Sequence, residues 1–267
     1  MPTFQHDGLE LFFIDVPGNP ASQGAPVVLV HGFASTHAVN WINPLWVKAL
    51  TDAGRRVIAL DNRGHGASGK PHAVAAYHTS RMAADVLALV DHLGIEAAHL
   101  MGYSMGARIC AFATLAAPVR VRAVVLGGLG YHLVEGGGLP TSIADAMRAP
   151  SVDAISDPTG RLFRRFAEAN GGDLEALAAC IEGSRQSLGA GELARLVAPV
   201  LVAVGDKDPI AGDPHRLAAL LPHGSALDIP GRDHNLAVGD KLFKAAAIRF
   251  FASHDEPVAS GGPDGMS

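Results

Sequence analysis

The chain has 267 residues, 48% of them apolar, enough for a sizeable buried core and for one or two domains. Lys and Arg total 21 against 26 Asp and Glu, a formal charge of −5 with no basic run, which argues against a phosphate-backbone binder or an anionic-membrane patch. Cys110 and Cys180 supply neither a disulfide framework nor a metal-ligand spacing and read as buried small apolar residues.

The first ten residues, MPTFQHDGLE, lack the basic and apolar regions of a secretory signal. Apolar runs such as Val27–Val30 fall far below the roughly 18 residues that span a bilayer. The expectation is a soluble, cytoplasmic protein with no membrane span and no nucleic-acid partner. Thr3–His6 and Leu9–Asp15 are β-type runs separated by Asp7-Gly8, a pair suited to a type I′ hairpin turn. A Pro/Gly/Ser stretch, Pro17 to Pro26, leads into the apolar run Val27–Val30 and then His31-Gly32. Pro44–Ala53 has a helical pattern stopped by Gly54, and Arg56–Leu60 is another buried strand ending at Asp61. Thr79–Leu93 places Met82, Val86, Leu89, Val90 and Leu93 on one helical face. Ala98–Met101 is a third apolar run, entering Gly102-Tyr103-Ser104-Met105-Gly106, with a helical Ala107–Ala116 after it and a strand at Val121–Leu126.

The rhythm breaks over 131–196, where helical pieces occur around Ser142–Arg148, Arg161–Ala169 and Leu174–Ile181. It resumes with a strand at Val200–Val204, a helix at Pro214–Leu221, a strand at Ala226–Ile229 and a helix at Lys241–Phe251. Strands alternating with helices predict an α/β fold, a mostly parallel twisted sheet with helices on both faces. The expected organisation is a core over 1–130 and 197–253, a small helical cap inserted at 131–196, and a disordered tail over 254–267. Ligands of such sheets sit outside the carboxyl ends of the strands, so an insertion leaving one of those ends would cover the site.

Gly102-Tyr103-Ser104-Met105-Gly106 matches G-x-S-x-G between an apolar strand and a helical segment, the context of a nucleophile elbow. A serine hydroxyl is a weak nucleophile and needs exposure to a base and a substrate. A tight strand-to-helix turn lifts it clear of the sheet, and glycines two before and two after leave room for the strained backbone. His234 follows a strand and a glycine in the last strand–helix loop, which marks it among 13 histidines as the candidate base. Asp206 and Asp208 both follow the strand at Val200–Val204, and Asp233 beside His234 reads as a loop carboxylate. Gly64–Lys70 also matches a phosphate-loop pattern, but Pro71 stands where a Ser or Thr is needed and no helix start follows. Trp41 and Trp46 are candidates either for a packed loop or for an acyl pocket.

Five pieces in order carry a resemblance from about Val27 to Phe251: His31-Gly32-Phe33, Asp61-Asn62-Arg63-Gly64-His65-Gly66 with Ser68, the Ser104 pentapeptide, Gly205-Asp206-Lys207-Asp208-Pro209, and Gly231-Arg232-Asp233-His234. With them the chain resembles the α/β-hydrolase superfamily, in its serine-nucleophile, esterase-like branch with a short helical lid. The resemblance implies the order nucleophile, acid, histidine, met by Ser104, Asp208 and His234. It favours Asp208 over Asp206, because the family's acid sits three residues past a glycine after the penultimate strand. It implies an oxyanion hole from the backbone N–H groups of Phe33 and Met105, with His31 and His65 bracing loops. No cofactor and no metal are implied. The expected activity is hydrolysis of small-to-medium carboxylic esters through an acyl-enzyme, with a small-molecule ester and water as partners. A carbon–carbon hydrolase or lyase acting on a diketone-like metabolite, and a perhydrolase side activity, share the same machinery. A non-catalytic receptor or scaffold on this fold is the alternative of another class.

Overall fold

The computed structural model describes residues 2–19 and 24–255. Eight strands form one sheet: β1 (Thr3–His6), β2 (Leu9–Val16), β3 (Val27–Val30), β4 (Val57–Leu60), β5 (Ala98–Tyr103), β6 (Val121–Gly127), β7 (Val200–Gly205) and β8 (Gly224–Ile229). Their order is β1-β2-β4-β3-β5-β6-β7-β8. β1 and β2 run antiparallel, and β2 joins β4 antiparallel; every later pairing is parallel. Asp7 and Gly8 both hold positive φ, 50° and 74°, as the hairpin turn between β1 and β2 requires.

The strand sequences explain this arrangement. β3, β4, β5 and β7 are buried at every position, as parallel strands covered on both faces must be. Successive side chains point to opposite faces, so each strand feeds two cores. Val28, Val30, Ile58, Leu60, Val200 and Val202 enter one core, packed by Val86 and Leu89 of α2 (Thr79–His92) and Ile109 and Ala113 of α3 (Met105–Ala116). Val27, Leu29, Val57, Ala59, Leu201 and Ala203 enter the other, packed by Trp46 and Leu50 of α1 (Trp46–Asp52) and Phe243, Ala247 and Phe251 of a C-terminal helix (Lys241–Ala252).

Between β6 and β7 lie five α-helices, α4 (His132–Glu135), α5 (Ser142–Arg148), α6 (Pro158–Ala169), α7 (Leu174–Gly183) and α8 (Ala190–Leu193), and a short 3-10 turn at Val152–Ala154. Their apolar residues Leu133, Ile143, Met147, Leu177 and Ile181 belong to the same core as α2 and α3, so this segment has no separate core of its own. After β7 come α9 (Pro214–Ala218), α10 (His234–Ala237) and the C-terminal helix, α11.

Local backbone effects move several boundaries. The helix expected from Pro44 starts at Trp46, because Leu45 holds a left-handed φ of 66°, and a π-type helical turn over Ala38–Ile42 precedes it. The stretch expected as a tail begins with two ordered residues. Asp255 ion-pairs with Arg55 and bonds His99 Nε2 (3.1 Å) and the Ala25 N–H (3.1 Å). The remainder of that stretch, and 20–23 of the Pro/Gly/Ser segment, lie outside the described residues. No helix among the described residues is long and apolar enough to cross a membrane.

Candidate active site

Ser104 sits between the last residue of β5 and the first of α3, with φ 54° and ψ −114°. A non-glycine residue pays about 1–3 kcal/mol for such a conformation and keeps it only where neighbours over-determine it. Here the Ser104 N–H donates to the Gly127 carbonyl (2.8 Å), and the Ser104 carbonyl accepts from the Arg108 N–H (3.2 Å). The flanking glycines are steric requirements. A Cβ on Gly102 would lie 2.1 Å from the Gly106 carbonyl oxygen, and one on Gly106 would lie 2.0 Å from that of Val30.

The second group is built from the loops after β7 and β8. Asp208 Oδ1 accepts the N–H groups of Ile210 (2.8 Å) and Ala211 (3.1 Å), which fixes the carboxylate. Its Oδ2 lies 2.7 Å from His234 Nδ1, so that nitrogen is the protonated one in neutral imidazole and Nε2 is left as a proton acceptor. The Asp208 side chain is fully buried. Asp206 does other work: its Oδ1 accepts the Gly231 N–H (2.7 Å) and ties the two loops together. Asp233 caps α10 through the N–H groups of Asn235 and Leu236.

Ser104 and His234 line one cavity of about 350 Å³, together with Phe33, Leu139, Phe163 and Phe166. That volume falls in the lower range of small-molecule sites. Its position matches the sheet: β3 and β5 end at Val30 and Tyr103, and the cavity opens beyond those carboxyl ends.

Phe33 and Met105 also approach Ser104, and both line a second, smaller cavity that includes it. Among the described residues, no acceptor engages the N–H of Phe33 or of Met105. Met105 is the first residue of α3, where N–H groups have no partner inside the helix and carry partial positive charge. The Phe33 loop is held by neutral histidines. His65 Nδ1–H donates to the Arg63 carbonyl (3.0 Å) while Nε2 accepts the Ala34 N–H (3.1 Å). Burial pushes His65 down to about 3, so its ring stays neutral. His31 Nδ1–H donates to the Gly32 carbonyl (2.8 Å), and Nε2 accepts the Asn62 N–H (3.0 Å). Burial also lowers its pKa.

Two positioning residues carry no signal in the sequence. Asn40 Oδ1 accepts the Gly32 N–H (2.9 Å) and so anchors the Phe33 loop. The Tyr103 hydroxyl donates to the His234 carbonyl (2.6 Å) and braces the start of α10. Tyr103 occupies a variable position of the elbow pentapeptide, and Asn40 lies in an irregular helical turn, so only the fold brings them to the site. Trp41 and Trp46 are fully buried in the core beside Phe243, and Trp46 Nε1 donates to the Val238 carbonyl (2.6 Å). Their packed-loop role is the one observed. In the phosphate-loop pattern, Lys70 Nζ turns back to the carbonyls of Gly66 and Ser68 (2.7 and 2.9 Å).

A family model described as alpha/beta hydrolase fold matches residues 25–136. Epoxide hydrolase A of Mycobacterium tuberculosis is 40% identical over 115 residues, covering 38% of this chain and 35% of that protein. The dihydrolipoyllysine-residue acetyltransferase component of the acetoin cleaving system of Pseudomonas putida is 35% identical over 229 residues, covering 79% of this chain and 59% of that protein. The chain thus spans about a third and three-fifths of the length of these two curated relatives. The crystal structure of a hydrolase from Pseudomonas aeruginosa PA01 superposes with a TM-score of 0.74 at 25% identity, covering 93% of this chain and 97% of that one.

Proposed function

The chain belongs to the α/β-hydrolase superfamily, and from that premise we propose that it is a serine hydrolase of small-to-medium carboxylic esters. Ser104 is the nucleophile, His234 the general base and then acid, and Asp208 the residue that orients His234. The reading rests on one observation above the others. Ser104 and His234 share a cavity, and the His234 ring is held by a buried carboxylate on the nitrogen facing away from the reaction.

Ser104 Oγ attacks the ester carbonyl carbon while His234 Nε2 takes the hydroxyl proton. The carbonyl oxygen becomes an oxyanion and accepts from the N–H groups of Phe33 and Met105. One such donor is worth roughly 100- to 1,000-fold in rate. The tetrahedral intermediate collapses, the C–O bond to the alcohol breaks, and His234 returns the proton to the leaving oxygen. Water then repeats the sequence on the acyl-enzyme, with His234 as base, and releases the acid and Ser104. Asp208 stabilises the imidazolium in both steps without itself taking the proton. The helices α4–α8 serve as a cap, with Phe163 and Phe166 of α6 forming an apolar wall over the nucleophile. An epoxide-hydrolase relative raises the question of epoxide opening. Members of this fold with that activity place Asp at the elbow, whereas this chain has Ser104 there.

The test is hydrolysis of p-nitrophenyl esters from acetate to octanoate, with Ser104→Ala as control. Ser104-dependent turnover with an optimum at short or medium chains is the expected result. A folded protein that turns over none of the series would move the assignment to carbon–carbon bond hydrolysis on the same fold.

A further inference from the structure

The smaller cavity at Ser104 differs in character from the larger one. It holds about 50 Å³ and is lined by Ser104, Met105, Leu139 and Ser184 together with two arginines, Arg108 and Arg185. Space of that size takes about four water-sized groups. Arg108 lies one turn into α3 from Ser104 and is only 7% exposed. Its guanidinium donates to the carbonyls of Gln186 (2.6 Å), Gly137 (3.4 Å) and His132 (3.5 Å). Arg185 donates to the Leu139 carbonyl (2.5 Å). Among the described residues, no carboxylate stands within ion-pairing distance of either guanidinium, although nine other arginines have one. Burial, and then the neighbouring charge of Arg185, push Arg108 down to about 10. A buried guanidinium beside a second one, with carbonyls but no counter-ion, is costly unless an anion joins it.

The direction of the substrate follows from the proposed triad. His234 delivers its proton to the leaving alcohol, and His234 lines the larger, apolar cavity. The alcohol half therefore occupies that cavity, and the acyl half extends past the Met105 N–H toward Arg108 and Arg185. Resting on the serine-hydrolase reading, we propose that Arg108 and Arg185 form a carboxylate subsite, so that the preferred substrates are hemi-esters of short dicarboxylic acids. The planar guanidinium fork matches a carboxylate in two parallel hydrogen bonds. A four-carbon diacid fits the length: its two methylenes and terminal carboxylate span the small cavity while its other carbonyl meets Ser104.

The experiment compares monobenzyl succinate with benzyl 4-methylpentanoate, in which an isopropyl group replaces the carboxylate at the same length. The benzyl group suits the aromatic cavity, and acid release is followed by pH-stat with Ser104→Ala as background. The expected kcat/KM ratio favours the hemi-ester roughly ten- to hundred-fold, the worth of hydrogen bonds to a charged group. In Arg185→Gln and in Arg108→Gln the ratio should fall toward one, and Arg108→Lys should keep part of it. Because the readout is a ratio within one protein, a loss of folded enzyme cancels; Arg185→Gln covers the case in which Arg108→Gln does not fold. A wild-type ratio at or below one, or a ratio that survives both glutamine variants, overturns the subsite and assigns the arginines to holding the cap loops. If folded wild type cleaves neither ester, the serine-hydrolase reading fails and this inference falls with it.

Discussion

Ser104 illustrates how a single residue depends on its neighbours. Its backbone is strained, and the strain is held by Gly127, by α3 and by two glycines packed against carbonyl oxygens. The elbow was legible in the sequence because that packing demands glycine at fixed offsets. His234 was legible by its place in the last strand–helix loop. The choice between Asp206 and Asp208 was weaker, since it rested on family spacing. The two carboxylates have different partners: Asp208 meets His234, and Asp206 meets the Gly231 N–H. Asp208→Asn should therefore cut kcat roughly 1,000-fold or more, because the amide misorients the imidazole. Asp206→Asn should stay within a few-fold, since its side-chain oxygen still accepts from Gly231. Steady-state kinetics of the two variants decide this, and the reverse ranking would make Asp206 the acid. Asn40 and Tyr103 could not be read in advance, because each acts through one long-range hydrogen bond to a backbone group.

At the scale of elements, α6 is the piece most directly coupled to the cavity. It supplies Leu162, Phe163 and Phe166 to the wall, and Leu162 is 56% exposed. The helix begins with Pro158, whose missing N–H costs nothing there, and Asp157 accepts from the Thr159 and Gly160 N–H groups (3.2 and 2.9 Å). Sequence periodicity placed this helix only from Arg161, because its first turn carries no apolar stripe. Asp157→Ala should cost about 1 kcal/mol of helix stability. Its expected kinetic signature is a KM raised several-fold with kcat little changed, since the wall loosens while the triad stands on other elements. A fall in kcat at constant KM would instead tie α6 to the chemical step. Strand existence was the most legible level, because buried parallel strands are continuous apolar runs. The irregular turn at Ala38–Ile42 and the short α10 were not, being set by tertiary contacts rather than by period.

For the molecule as a whole, buried neutral histidines set the response to acid. Burial holds His65 at about 3 and His99 at about 4, against 6.5 for a free ring. Between those values and 6.5 the unfolded chain takes up protons that the folded chain refuses. Stability is therefore fully present above pH 6.5 and falls as pH drops below it, by on the order of several kcal/mol at pH 4. Urea midpoints measured from pH 8 to pH 4 should drop steadily below 6.5. A flat profile through pH 5 would mean that these rings titrate in the folded state. None of this was visible from 13 histidines in a row of letters, since burial, and not residue type, decides which ones resist protonation.

In the proposed mechanism Ser104 is a nucleophile activated by His234. Intact-protein mass spectrometry after treatment with a serine-reactive fluorophosphonate tests it most directly. One adduct per chain is expected, located on Ser104 by peptide mapping, absent in Ser104→Ala and formed far more slowly in His234→Ala. An adduct on another residue, or none on the folded wild-type protein, would contradict it.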